Sequence, residues 1–151
     1  MTKILFVCHG NICRSTMAAC IFTDKARKRG ILADFAIDSA ATSREEIGNS
    51  IYPPAARKLT EKGVAILSHR ARQMTAADAE HFDLLIGMDD ANIRNMRRIA
   101  GEENAGKIRR LLDYTSRPGP VADPWYSGDF EQAYRDIEEG CEALLDQLTN
   151  V

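Results

Sequence analysis

Short apolar runs and helical patterns alternate along this chain. Residues 3–7 (KILFV) and 83–88 (DLLIGM) are mainly apolar runs of the kind typical of strands buried on both faces. Residues 33–38 (ADFAID) and 107–112 (KIRRLL) have the pattern of two further strands. The polar stretch at 39–53 is predicted to be a loop, because it shows neither the apolar spacing of a helix nor that of a strand and is rich in small and polar residues.

The segments between these runs have the spacing of helices. Ser15 or Thr16 is the candidate N-cap of a first helix that ends near Gly30. Further helices are predicted over 54–63, 75–80 and 90–100, and the last helix carries an apolar stripe of Phe130, Tyr134, Ile137, Cys141, Leu144 and Leu148. Alternating strands and helices predict a three-layer α/β/α fold with a doubly wound, four-stranded parallel sheet.

Length and composition narrow the class of protein. A chain of 151 residues without repeats or linkers predicts one domain over residues 1–151. The net charge of -2 argues against binding to nucleic acid or to an anionic membrane. The apolar run at the N-terminus is too short for a signal peptide or a membrane span, and the four irregularly spaced cysteines fit neither a metal site nor a disulfide framework. We therefore expect a cytoplasmic protein without a bound metal.

The segment VCHGNICRS, residues 7–15, is the candidate site of chemistry. Cys8 directly follows the first predicted strand, and ligands of open parallel sheets bind beyond the carboxyl ends of the strands. Successive backbone N–H groups that lead through Gly10 into a helix form a cradle for anions, and the same field favours a thiolate at Cys8. Arg14 adds a planar fork that suits two phosphoryl oxygens. A thiolate in such a cradle indicates attack on phosphorus.

This segment resembles the phosphate-binding loop of the low-molecular-weight protein tyrosine phosphatases, whose pattern is C-x5-R-S with GNICRS inside it. The resemblance implies hydrolysis of phosphotyrosine through a phosphocysteine, with Cys8 as nucleophile and with neither a metal nor an organic cofactor. The implied partners are tyrosine-phosphorylated proteins or peptides, and phosphate or other oxyanions in the loop; the protein is expected to be a monomer or a weak homodimer. The implied phosphate-binding residues are His9, Gly10, Asn11, Ile12, Cys13, Arg14 and Ser15.

A second segment, DPWY at 123–126, resembles the acid loop of the same family. The resemblance implies that Asp123 protonates the leaving oxygen and then, as a carboxylate, activates water. Such a general acid typically contributes about 100- to 10,000-fold to the rate. Trp125 and Tyr126 are expected to wall the substrate cleft.

Further matches extend the resemblance over nearly the whole chain. They imply that Asn11, Ser39 and His69 form a network that shapes the loop, and that Ser15 hydrogen-bonds the thiolate. For Cys13 two interpretations stand: a space-filling residue, or a partner for a reversible disulfide with Cys8.

The chain also departs from the family pattern. Thr16 and Ala19 replace the usual proline and glutamate, and Glu45 stands where relatives often carry an aromatic residue. Glu45 and Glu46 are therefore expected at the rim of the cleft.

Three alternatives to a tyrosine phosphatase remain. Protein-arginine phosphatases share the loop but typically carry threonine in place of Ile12. Arsenate reductases share the fold but need a further cysteine pair near the third strand, where residues 81–89 contain none. A silent phosphopeptide-binding module would not need Asp123.

Overall fold

A four-stranded parallel sheet forms the centre of the computed structural model, which describes residues 1–149. The strands are β1 (Thr2–Cys8), β2 (Phe35–Ala41), β3 (Leu84–Gly87) and β4 (Ile108–Arg110), in the order β2-β1-β3-β4. Every neighbouring pair is parallel. The chain leaves β1 toward one side and later crosses to the other, so the topological switch point lies beside β1. Cys8 is the last residue of that strand.

Helices cover both faces of this sheet. They are α1 (Arg14–Lys28), α2 (Pro53–Glu61), α3 (Ala76–His81), α4 (Asp90–Ala100), α5 (Pro124–Ser127) and α6 (Phe130–Thr149). Three 3₁₀ turns, Leu32–Asp34, Glu102–Lys107 and Leu111–Tyr114, join the elements. The predicted three-layer, doubly wound α/β/α fold is confirmed.

Alternate side chains of β1 supply two separate cores, because neighbouring residues of a strand point to opposite faces. Ile4 and Phe6 lie in the larger core with α1, α2 and α6. Leu5 and Val7 lie in the smaller core with α3 and α4. The apolar stripe of the last helix faces the larger core, where Cys141 is completely buried.

Several predicted boundaries were wrong by a few residues. The second strand begins at Phe35, since a 3₁₀ turn occupies Leu32–Asp34, and it continues to Ala41, which pairs with Cys8. The fourth strand ends at Arg110 because a 3₁₀ turn follows it. Helix α2 begins at Pro53, one residue early, and the short helix α5 was not predicted.

The predicted cap of the first helix was also wrong. Helix α1 begins at Arg14, and its N-cap residue Cys13 makes no side-chain capping hydrogen bond. Ser15 and Thr16 lie inside the first turn, where their hydroxyl groups contact Cys8 Sγ and Asn11 O. The loop thus uses the hydroxyls that the local sequence pattern assigns to capping.

None of the helices within residues 1–149 is both long enough and apolar enough to cross a membrane.

Candidate active site

The loop after β1 wraps around the sulfur of Cys8. The backbone N–H groups of Asn11 and Ser15 donate to Sγ at 3.3 and 3.4 Å, and Ser15 Oγ lies 3.0 Å from it. Cys8 is only 3% exposed. Two backbone N–H groups and one hydroxyl group therefore converge on this sulfur. The predicted contact between Ser15 and Cys8 is present in this geometry.

Asn11 holds the loop in shape from inside. Its φ of 61° is left-handed, a conformation that asparagine tolerates better than most residues. Its Nδ2 donates to Ser15 Oγ at 2.8 Å and to Ser39 Oγ at 2.9 Å, while its Oδ1 accepts from the backbone N–H of Arg72 at 3.2 Å. The structure therefore brings the predicted network residues together around one buried amide.

His69 completes this network. Its Nε2 lies 2.7 Å from Asn11 Oδ1 and 3.2 Å from Ser39 Oγ. Because Asn11 Oδ1 can only accept, Nε2 carries the proton of that contact. Burial lowers the pKa of His69, although the negative charge of Asp38 acts to raise it. A neutral imidazole with its proton on Nε2 fits both observations.

Arg14 is buried at the first position of α1 and is held on several sides. Its Nη1 donates to Asp89 Oδ2 at 2.7 Å and to Val121 O at 2.9 Å, and its Nη2 donates to Asp123 Oδ2 at 3.3 Å. Burial alone would lower the pKa of Arg14, but the charge of Cys8 and the bond to Asp89 raise it above its usual value. The guanidinium is thus a fixed cation beside the sulfur.

Asp123 faces this cation from a separate loop. It is the N-cap of α5, where its Oδ1 accepts from Trp125 N at 3.0 Å and its Oδ2 accepts from Arg14. Pro124 at the first helical position and Gly128 with φ of 73° at the end define this one-turn helix. The turn places Trp125 and Tyr126 at the surface, 51% and 85% exposed.

A cleft of about 110 Å³ opens above Cys8. Trp125 is packed against Tyr52, with the ring centroids 4.7 Å apart, on one side of this cleft. The lining residues are Cys8, His9, Gly10, Asn11, Ile12, Cys13, Arg14, Glu45, Glu46, Asp123, Trp125 and Tyr126. The candidate nucleophile Cys8, Arg14 and the candidate acid Asp123, which are far apart in the sequence, therefore meet at one opening.

Comparison with known proteins decides the family. A sequence profile described as "Low molecular weight phosphotyrosine protein phosphatase" matches residues 3–151. The chain belongs to this family. The resemblance seen in the sequence is thereby confirmed.

Solved structures of this family share the fold. The low molecular weight protein-tyrosine-phosphatase YfkJ of Bacillus subtilis is 42% identical over 147 residues, 96% of this chain and 94% of that protein. Its crystal structure matches with a TM-score of 0.95, at 40% identity, over 100% of this chain and 98% of that one.

Two further structures of the same fold come from other organisms. The low molecular weight protein tyrosine phosphatase of Streptococcus pyogenes matches with a TM-score of 0.90 and 34% identity, over 99% of this chain and 95% of that one. A Drosophila arginine phosphatase matches with a TM-score of 0.91 and 30% identity, over 99% of both chains.

Sequence reasoning assigned no role to Asp89 in this phosphatase fold. The residue follows β3 and is the N-cap of α4, where its Oδ1 accepts from Asn92 N at 2.8 Å. Its other oxygen holds Arg14. The sequence did place Asp89 directly after a predicted strand, and residues at the carboxyl ends of parallel strands often contribute to a ligand site. A capping role alone explains an aspartate there, so the pattern did not reveal the contact with Arg14.

All four cysteines are unpaired and buried. Burial, followed by the charge of Cys8, raises the pKa of Cys13 to about 12. Burial likewise raises the pKa values of Cys20 and Cys141. In residues 1–149 no group of three or more histidine, cysteine, aspartate or glutamate side chains is arranged to hold a metal ion.

Proposed function

We propose that this protein is a protein-tyrosine phosphatase that hydrolyses phosphotyrosine through a phosphocysteine intermediate. The observation that carries the proposal is the position of Cys8, whose sulfur accepts backbone N–H groups at the bottom of a cleft that also holds Arg14 and Asp123. Membership of the phosphotyrosine phosphatase family supports phosphoproteins as the substrates.

In the first step, the loop N–H groups and Arg14 hold the non-bridging oxygens of the phosphoryl group. The Cys8 thiolate attacks phosphorus, so the S–P bond forms while the bond from phosphorus to the phenolic oxygen breaks. Asp123 donates its proton to that oxygen, and tyrosine leaves. The contact between Arg14 and Asp123 is long at 3.3 Å, and a bound phosphoryl group replaces it as the partner of Arg14.

In the second step, Asp123 is a carboxylate and accepts a proton from water. The water oxygen attacks phosphorus, the S–P bond breaks, and inorganic phosphate forms. Ser15 Oγ, 3.0 Å from the sulfur, stabilises the departing thiolate. The buried Asn11 network keeps Ser15 in place through both steps.

The burial of Cys8 and the aromatic residues of the cleft support an aryl phosphate as the substrate. Cys8 is only 3% exposed, and Trp125 and Tyr126 are among the lining residues, so we expect a long planar side chain to reach the sulfur where a short phosphoserine does not. Ile12 is also part of the lining and is 7% exposed. Its bulk supports phosphotyrosine over phosphoarginine at this site.

The test is hydrolysis of para-nitrophenyl phosphate and of phosphotyrosine, phosphoserine and phosphoarginine peptides, without added metal. Wild type should hydrolyse the aryl phosphates. Cys8→Ser should abolish turnover, and Asp123→Ala should lower kcat on the phosphotyrosine peptide by about 100-fold or more. Cys20→Ser and Asp34→Ala are matched controls, because Cys20 is a buried cysteine outside the cleft and Asp34 is an exposed carboxylate.

Faster hydrolysis of the phosphoarginine peptide would replace the proposal by a protein-arginine phosphatase. Tight binding of phosphotyrosine peptide without turnover by reduced wild type would indicate a phosphopeptide-binding module. Activity that persists in Cys8→Ser would contradict the phosphocysteine.

A further inference from the structure

The loop between β2 and α2, residues 42–52, is fastened to the loop around Cys8 at both ends. The N–H of Ser43 donates to His9 O at 3.1 Å, and the N–H of Tyr52 donates to Ile12 O at 2.9 Å. In the middle, the N–H of Gly48 donates to Ala71 O at 2.8 Å. The backbone of this loop therefore has a fixed position relative to the loop around Cys8.

Two consecutive carboxylates of this loop, Glu45 and Glu46, line the cleft. Glu45 Oε2 lies 2.9 Å from His9 Nε2, and Glu46 Oε2 accepts from Asn49 Nδ2 at 2.6 Å. The stem of Glu46 lies against the loop, since a Cβ on Gly10 would stand 3.3 Å from its Cγ. Both carboxylates are thus held at the mouth of the cleft, and we call this pair the acidic wall.

The other charges of the cleft do not neutralise the acidic wall. Arg14 is the one Lys or Arg among the lining residues, and it is buried and already paired with Asp89 and Asp123. When a substrate is bound, its phosphoryl group pairs with the guanidinium of Arg14. His9 offsets Glu45 only when the imidazole is protonated.

The basic side chains near this loop are directed to other partners. Arg44 Nε donates to Gln73 Oε1 at 3.1 Å, and Arg70 Nη1 donates to Gly48 O at 3.0 Å. Neither lines the cleft. Two further lining residues, Trp125 and Tyr126, are aromatic and carry no charge. Both arginines keep their positive charge in these contacts with neutral acceptors, but they lie outside the lining, so Glu45 and Glu46 are the charged side chains that this loop contributes to the cleft.

We propose that the acidic wall, Glu45 and Glu46, selects phosphotyrosine sites that are flanked by lysine or arginine. This inference rests on the proposed function and names its substrate class. With the phosphorylated side chain inserted toward Cys8, the neighbouring residues of the peptide lie at the rim, within reach of the wall. Because Glu45 and Glu46 already hydrogen-bond His9 and Asn49, a basic neighbour meets them at a reduced cost for ordering their side chains.

The effect expected from each carboxylate is about two- to fivefold in the ratio of kcat/KM values, as for exposed ion pairs. Three phosphotyrosine peptides measure this ratio. They differ only in the residues on both sides of phosphotyrosine, which are lysine in the first, alanine in the second and glutamate in the third. Wild type should prefer them in that order, with a lysine-to-glutamate ratio of about 10. About 0.5 M NaCl should shrink the ratio, because salt screens exposed charges.

The variants are Glu45→Gln, Glu46→Gln and the double change, each close in shape to the native side chain. The lysine-to-glutamate ratio should fall in each single variant and fall furthest in the double variant. Glu103→Gln is the matched control, since it makes the same change in net charge on an exposed residue that does not line the cleft. The ratio should stay at the wild-type value in this control.

Binding of the same peptides to Cys8→Ser, followed by fluorescence anisotropy, separates the two proposals. In one outcome, wild type fails to hydrolyse aryl phosphates, but Cys8→Ser binds the lysine peptide more tightly than the glutamate peptide and loses this preference when both glutamates are also replaced. The proposed function then fails and the acidic wall stands. If wild type hydrolyses aryl phosphates but the ranking is absent or equal with and without the acidic wall, the inference is overturned and the proposed function stands.

Discussion

The guanidinium of Arg14 and the carboxylate of Asp89 form an ion pair with an Nη1–Oδ2 distance of 2.7 Å at the carboxyl edge of the sheet. Arg14 is the first residue of α1 and Asp89 is the N-cap of α4, and these two helices lie on opposite faces of the sheet. The pair therefore ties the loop around Cys8 to the end of β3. It also fixes one side of the planar fork that we propose to bind the phosphoryl group.

Asp89→Asn should lower kcat on para-nitrophenyl phosphate by between about 10- and 100-fold, because the fork of Arg14 loses its strongest partner and with it its orientation. Asparagine is as good an N-cap as aspartate, so helix α4 keeps its cap. The free energy of unfolding measured in urea should fall by about 1–3 kcal/mol, because the buried guanidinium keeps its charge and loses a charged partner. Unchanged kcat would show that Val121 O and the helix alone orient Arg14.

His69→Gln should flatten the dependence of stability on pH. Burial lowers the pKa of His69 in the folded state below the ordinary value of 6.5, so the unfolded chain binds more protons as the pH falls through that value. This contribution to the free energy of unfolding is fully present above pH 6.5 and is lost as the pH falls toward the folded-state pKa. Asp38 and Arg72 are the charged groups that face the imidazole.

Urea denaturation at several pH values between about 7.5 and 5 measures this effect. Wild type should lose more stability over the range than His69→Gln. His81→Gln is the control, since His81 is exposed at the end of α3, and it should follow wild type. Equal slopes for wild type and His69→Gln would contradict a neutral, buried imidazole in the Asn11 network.

Peroxide should inactivate the enzyme reversibly through a disulfide between Cys8 and Cys13. The Cys8 thiolate attacks peroxide to give a sulfenic acid, and Cys13 then displaces water from it to form the S–S bond. Burial is the largest cause that raises the pKa of Cys13, and it persists after Cys8 has become a sulfenic acid, so the second step should accelerate as the pH rises.

Dithiothreitol should restore activity to peroxide-treated wild type and to the control Cys20→Ser, but only partly to Cys13→Ser, whose Cys8 oxidises further. Peptide mapping without reduction should show the pairing of Cys8 with Cys13. Full recovery of the activity of Cys13→Ser would contradict the disulfide and indicate that Cys13 only fills space beside the loop.

Gly140→Ala should destabilise the fold. Gly140 is buried in α6, and a Cβ there would stand 2.5 Å from Leu111 Cγ, which is too close for two non-bonded carbon atoms. Overpacking of this kind typically costs about 1–3 kcal/mol, which exceeds the gain of about 1 kcal/mol from replacing glycine in a helix.

Urea denaturation of Gly140→Ala, Leu111→Ala and the double variant tests this contact. The double variant should be more stable than the sum of the two single changes predicts, because the smaller residue at 111 makes room for the new methyl group. Gly106→Ala is the control, since a Cβ at that position would meet no atom within 4 Å, and it should change stability by less than about 0.5 kcal/mol. Additive changes would show that Leu111 does not oppose the methyl group.

The sequence by itself determined the four parallel strands, the helices between them and the loop that begins at Cys8. These features follow from local signals: strands buried on both faces read as apolar runs, and the anion cradle is one continuous segment of chain. The last helix is the clearest case, because the spacing of Ile137, Cys141 and Leu144 alone identifies its buried face.

Only the tertiary structure decided which polar groups meet. Arg14 and Asp89 are 75 residues apart in the chain, and no periodicity links them. Ser15 carries a hydroxyl that suits a helix cap, but the sulfur of Cys8 and the amide of Asn11 engage it instead. Local patterns record burial and backbone preference, whereas the choice among competing hydrogen-bond partners depends on which strand ends the sheet brings together.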